Sequence, residues 1–183
     1  MTEASRRAVL QSAAALALAG SVASPAHAAP KTPGKPGDFD FLTGEWRIAN
    51  RWRQTTKDAF LAFPGEATVT SILSGIASVE ELRIPARGFF GMGLRLLDVE
   101  RKLWVDHWVN ARSGAIGGEG TPGSFENGAG IFDSTAEEDG KPVIWRGLWD
   151  RIVPGKSHNW SQLVSRDGGK SWEATWLMEW TRA

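Results

Sequence analysis

Along most of this chain, apolar and polar residues alternate one by one. The clearest run is Lys170 to Arg182, where Trp172, Trp176, Met178 and Trp180 share one parity and Glu173, Thr175, Glu179 and Thr181 the other. A period of two is the mark of a half-buried strand. The four-residue spacing of the tryptophans would also suit one face of a helix. Threonines and indoles favour strands, and Gly168-Gly169 just before offers a hairpin turn, so the run reads as a strand over 170–181. At about 3.3 Å per residue, Trp172 to Trp180 would span roughly 27 Å, the height of a barrel wall.

The same pattern predicts a first strand at about 45–53, with Trp46, Ile48, Asn50 and Trp52 on one face and Arg47, Arg51 and Arg53 on the other. A helix would put Trp46 and Trp52 on different sides. Further strands are predicted at about 66–73, 77–84, 89–97, 102–109, 124–133, 142–152 and 157–165. Trp104, Asp106 and Trp108 fall in phase, as do Trp145 and Trp149. Thr55 to Gly65 reads as a turn or short helical piece plugged by Phe60, Leu61 and Phe63. No long amphipathic helix and no repeat of blade length stand out, and turn signals recur about every 8 to 12 residues. The expected fold is all-β: an antiparallel up-and-down barrel of about 8–10 strands with little helix.

The N-terminus follows other rules. Ser5-Arg6-Arg7 leads into an alanine-rich apolar run and an Ala26-His27-Ala28 exit, which reads as a twin-arginine export signal over residues 1–28. A transmembrane anchor is the alternative, but the run is short and diluted by alanine. Export places the protein in the periplasm or outside the cell, with no membrane span once the signal is removed. Residues 29–37, rich in proline and glycine, read as a flexible tether, leaving 38–183 as one barrel domain. The chain has 21 basic and 21 acidic residues. Setting aside Arg6, Arg7 and Glu3 leaves a net charge of −1, which argues against a nucleic-acid partner. There is no cysteine, so packing alone must hold the fold. Ten tryptophans and no tyrosine make up an unusual aromatic set, too large to expose without aggregation. Most of these indoles must face inward or line a pocket.

Two sets of residues resemble a known family. They are Phe39 to Trp46 (F-D-F-L-T-G-E-W) and Trp160 to Arg182, supported by Trp104 to Asn110 and Pro142 to Ile152. Together they resemble a bacterial family of unknown function with a calycin-like β-barrel, distantly related to the lipocalin, fatty-acid-binding and nitrobindin barrels. The resemblance implies that Trp46 sits at the closed end with Arg182 stacked on it, a cation–π contact worth about 0.5–2 kcal/mol. It implies no established activity. Nitrobindin-like members hold haem through a histidine, and no histidine here matches that position, so no cofactor is expected.

The remaining chemistry is sparse. After the leader only His107 and His158 remain, too few for a three-histidine zinc site, and no metal is expected. His107 is off phase and should point outward; His158 should sit at a strand mouth. Gly114 to Gly123 lacks the Gly-Lys-Ser/Thr ending of a phosphate loop. Ser165 to Trp172 matches the Asp-box of sialidases, a hairpin device in which Asp167 would bond turn amides while Trp172 enters the core. Asn50, Asp106, Asn110 and Gln162 have inward parity and need partners or a ligand. Asp106 is the one candidate acid or base; its alternative is an ion pair with an inward arginine, Arg95 or Arg146.

These residues predict an exported barrel that binds a small apolar or aromatic molecule. Its cavity would be lined by Trp52, Trp104, Trp108, Trp145 and Trp176, with Asn50, Asn110 and Gln162 orienting the ligand. The alternatives are an isomerase, cyclase or lyase built on Asp106, a carbohydrate-binding barrel, and a barrel filled by its own side chains.

Overall fold

The computed structural model describes residues 32–183. Ten strands follow in order: β1 (Gly44–Trp52), β2 (Leu61–Ile72), β3 (Ala77–Ile84), β4 (Phe89–Asp98), β5 (Leu103–Asn110), β6 (Thr121–Glu126), β7 (Ala129–Glu138), β8 (Lys141–Val153), β9 (Ser157–Ser165) and β10 (Glu173–Arg182). Each pairs antiparallel with its sequence neighbours, and β1 pairs with β10, so the sheet closes into an up-and-down barrel. Among the described residues the only helical pieces are three 3-10 turns, at Asp40–Leu42, Leu73–Gly75 and Pro85–Arg87.

Directly opposed residues share a face of the sheet. One ring of opposed positions shows which face is inside: Leu97, Trp104, Gly123, Phe132, Gly147, Gln162, Trp176 and Trp52 are register partners in that order. β1 shows the alternation plainly, with Trp46, Ile48 and Asn50 buried and Glu45, Arg47, Ala49 and Arg51 exposed. Nine of the ten tryptophans occupy inward positions. Trp172 does not.

That exception corrects the expected strand over 170–181. β10 begins only at Glu173, and its register with β9 slips between Ala174 and Trp176. The slip breaks the parity that links Trp172 to Trp176. Trp172 therefore lies on the outer wall, its ring centroid 3.9 Å from the guanidinium carbon of Arg146. Arg146, the other candidate partner for Asp106, is held outside by a two-pronged pair with Asp133 at 2.7 and 2.8 Å.

Two other boundaries move. The single strand expected at 124–133 is the β6–β7 hairpin, turning at Asn127 and Gly128 with φ of 51° and 79°. Positive φ at both central residues is what a tight two-residue hairpin turn needs, and Asn-Gly supplies it. The piece expected as a plugged turn over Thr55 to Gly65 is a strand from Leu61 onward, with Phe63 facing inward opposite Asn50.

The expected signal over 1–28 lies outside the described residues, as do the first residues of the tether. From Gly34 onward that tether is docked across the lower end of the barrel. Gly34 N donates to Lys102 O at 2.8 Å and Gly37 N to Gly75 O at 2.9 Å. Gly34 packs so closely on Trp104 that a Cβ would come within 2.9 Å of the indole.

Candidate functional site

The barrel interior divides into a tightly packed lower half and an upper half whose aromatic rings are half-buried. In the lower half, the 3-10 turn drives Phe39 and Leu42 into the lumen, where they are 2 % and 0 % exposed. Phe39 meets Trp104 and Phe125 edge-on at 4.9 Å and Trp149 at 5.4 Å. The indole N–H of Trp46 donates to Leu42 O at 2.5 Å, and that of Trp104 to Asp38 Oδ2 at 3.1 Å. Trp104 is fully buried beneath Phe39, so it belongs to this plug and cannot line a ligand cavity. Arg182 lies over Trp46, its guanidinium carbon 5.3 Å from the ring centroid.

His158 also belongs to the plug. It lies at the start of β9 yet is 1 % exposed, with ring centroids of Trp46, Trp180 and Phe41 at 4.7, 4.9 and 5.3 Å. Burial, helped by the charge of Arg95, lowers its pKa to about 3, so it is neutral at ordinary pH. His107 faces outward, against Gly120.

An ionic layer tops the plug. Glu80 Oε2 accepts from Arg95 Nη2 at 2.6 Å, and Asp106 Oδ1 lies 3.4 Å from Arg95 Nε. The Arg95 guanidinium rests on the plug rings, 5.5 Å from the Phe39 centroid and 5.2 Å from that of Trp149. Gly93 on the wall beside it leaves the room, since a Cβ there would stand 2.8 Å from Nη2. Asp106 thus has the arginine partner that the sequence offered as its alternative to catalysis. The pairing is unequal, because Glu80 holds the arginine more closely. Burial pushes the Asp106 carboxyl up to about 6; Arg95 opposes the shift and Glu80 adds to it. Its side chain is still 24 % exposed, against 5 % for Arg95 and 4 % for Glu80. Asp106 shares the inward face of β5 with Trp104 and Trp108.

Above this layer the inward side chains of Trp52, Trp108, Trp145, Trp160, Trp176, Phe63 and Phe89 are only half-buried. Phe89 and Trp108 stack with centroids 5.8 Å apart and planes 9° apart. Trp176 meets Phe89 at 5.7 Å and Trp160 at 5.9 Å, both nearly edge-on. The wall thins at Gly91, where the Trp108 indole occupies the space of a side chain, and at Gly147, where a Cβ would meet nothing nearer than 3.5 Å. Glycines in the wall give these half-accessible rings room at the upper end.

The polar residues expected to orient a ligand are largely committed. Asn50, 1 % exposed, accepts from the Trp176 indole at 3.0 Å, and its Nδ2 has no partner. Gln162 Oε1 accepts from the Thr175 hydroxyl at 3.1 Å. Asn110 Oδ1 takes the amide of Arg112 at 2.9 Å in the turn at the mouth. Glu80, Phe39, Phe89 and Trp160 were missed as site residues. Glu80 was legible, because it shares parity with Ser78, Leu82 and Ile84.

A groove of about 580 Å³ lies outside the plug at the lower end, between Asp38, Phe41, Phe125, Ile152 and Pro154. The plug separates it from the upper half.

No protein-family model matches this chain, and no curated protein does. Among solved structures, the chain is similar to a protein of unknown function from the DUF3598 family of Nostoc punctiforme PCC 73102. Identity is 13 %, with a TM-score of 0.43 and coverage of 84 % of this chain. The alignment covers 53 % of that protein, so the chain spans about half its length.

Proposed function

We propose that this protein is an exported, calycin-like binding barrel that holds a small molecule with an apolar or aromatic body in its upper lumen. The observation that carries this reading is the half-buried state of the rings above Asp106: they point into the barrel, yet they remain accessible. A self-filled barrel would bury them as completely as Trp46, Trp104 and Trp149 are buried below. The rings supply contact area at low entropy cost, and the committed Asn50 and Gln162 hold their indole and threonine neighbours in place. Catalysis by Asp106 is the weaker reading. Its carboxylate is paired with Arg95, and the Arg87 guanidinium, over Trp52 and Phe63 at 5.4 and 5.1 Å from their centroids, offers a cation rather than a second acid or base. Exposed indoles stacking on sugars have no support outside the barrel beyond Trp172, which Arg146 covers.

Native mass spectrometry of protein purified from the periplasm, combined with titration by the uncharged probe N-phenyl-1-naphthylamine, tests the reading. The expected result is a co-purified small mass, or saturable probe fluorescence with energy transfer from the indoles. An empty protein that also fails to take up the probe would refute it.

A further inference from the structure

We infer that the natural ligand is an organic cation, an ammonium group on an apolar or aromatic body, with its charge seated at Asp106 beneath the indoles. This rests on the binding reading above and narrows it to a chemical class.

The argument starts from which polar atom a ligand can reach. In the ionic layer that atom belongs to a carboxylate: Asp106 is 24 % exposed and Arg95 only 5 %. The Nε and Nη1 atoms of Arg95 are buried and lack hydrogen-bond partners. A carboxylate ligand at this layer would meet Asp106 before it could touch the Arg95 guanidinium; Arg87 lies over the separate pair of rings Trp52 and Phe63. Charge balance points the same way. Two inward carboxylates, Glu80 and Asp106, share one guanidinium, which leaves one negative charge uncompensated when both are ionised. Glu80 takes the close contact at 2.6 Å, so the surplus falls on Asp106 at 3.4 Å.

The walls supply the rest. Aromatic rings present a negative face, and a cation within about 6 Å of a centroid is attracted to it. Trp108 stands two residues beyond Asp106 on the same face of β5, about 7 Å along the strand. Phe89, Trp108, Trp160 and Trp176 pack on one another, stacked or nearly perpendicular, in one aromatic group that reaches from β4 to β10. Of the oriented polar groups, the oxygens of Asn50, Gln162 and Asn110 are already engaged, leaving the Asp106 carboxylate to anchor a charge.

Three probes of matched size test this by quenching of the indole fluorescence at pH 7.5: benzyltrimethylammonium, its uncharged isostere neopentylbenzene, and 3-phenylpropionate. The cation is expected to bind about tenfold or more tightly than the isostere, and the anion not at all. Asp106→Asn should abolish the preference, bringing the cation's affinity down to that of the isostere. Should that variant fail to fold, the wild type decides. Arg95 on β4, Glu80 on β3 and the uncharged Thr121 on β6 face Asp106, and His158 is the next titratable group below. Lowering the pH from 7.5 to 5 should weaken the cation severalfold and spare the isostere. Equal affinity for cation and isostere, tighter binding of the anion, or a pH-independent cation affinity would overturn the inference and leave the binding lumen standing. Failure of all three probes to saturate would remove both.

Discussion

Arg182 bridges the two ends of the barrel chain: its guanidinium lies over the Trp46 indole and its Nη1 donates to Thr43 O at 2.5 Å. The contact is possible because Gly44 has no side chain. At φ of 126° its missing Cβ would overlap the guanidinium itself. The glycine of Gly44-Glu45-Trp46 is thus the slot through which the last strand grips the first.

Removing that grip should weaken the whole barrel. Arg182→Ala is expected to cost about 1–2 kcal/mol, from the lost cation–π contact and a carbonyl left without its donor. Gly44→Ala should cost more, because it adds backbone strain and displaces the arginine as well. Urea unfolding of the two variants checks the order; equal stability of Gly44→Ala and wild type would contradict the slot.

A larger side chain at Gly147 should narrow the upper lumen without harming the fold. Gly147 has ordinary contact distance on all sides, its nearest neighbour being the Trp160 indole nitrogen at 3.5 Å. Gly147→Val is therefore expected to weaken N-phenyl-1-naphthylamine binding about tenfold or more while melting within a few degrees of wild type. Undiminished uptake by a folded variant would place the probe elsewhere.

The pH dependence of stability should show two opposed titrations. Asp106 has a folded pKa raised to about 6, so its contribution is fully present below about pH 4 and is lost as pH rises through 6. His158 has a folded pKa lowered to about 3, so its contribution is present above about 6.5 and is lost as pH falls. Between about pH 4 and 6 the two slopes cancel, each near 1.4 kcal/mol per pH unit. Asp106→Asn removes one of them. That variant is expected to lose stability with acid about one proton more steeply than wild type across this window. Parallel stability curves for the two proteins would contradict the assignment.

Asp167 organises the last hairpin. Its Oδ1 accepts from the amides of Lys170 and Ser171 and from the Ser165 hydroxyl at 2.8–3.0 Å, and its Oδ2 from the Ser171 hydroxyl at 2.6 Å. These bonds, led by those from Ser171, hold its carboxyl well below the usual range. Asp167→Ala should raise hydrogen exchange at the amides of residues 169–171 and leave probe binding intact. Loss of probe binding would show that the turn supports the cavity after all.

Much of the barrel was legible along the chain because a strand writes its inside and outside into alternate residues. Parity alone put Trp46, Ile48, Asn50 and Trp52 on one face, and likewise Trp104, Asp106 and Trp108. It failed where the backbone departs from strict alternation. The slip before Trp176 sent Trp172 outside, and the Asn127-Gly128 turn was read through as continuous strand. It also failed at Leu61 to Gly65, where Ala62, Pro64 and Gly65 obscured the pattern.

Local order thus settles which residues belong to strands and which face they show, since that depends only on the pleat. It cannot say how deep along the barrel axis an inward residue lies. Trp104 and Trp108 share a face of β5, yet Phe39, arriving from a segment more than sixty residues away, buries the first and leaves the second open. The pairing of Arg95 with Glu80 and Asp106, and the sinking of His158 into the plug, depend on the same stagger of neighbouring strands. Depth comes from closure and register, which are relations between distant parts of the chain.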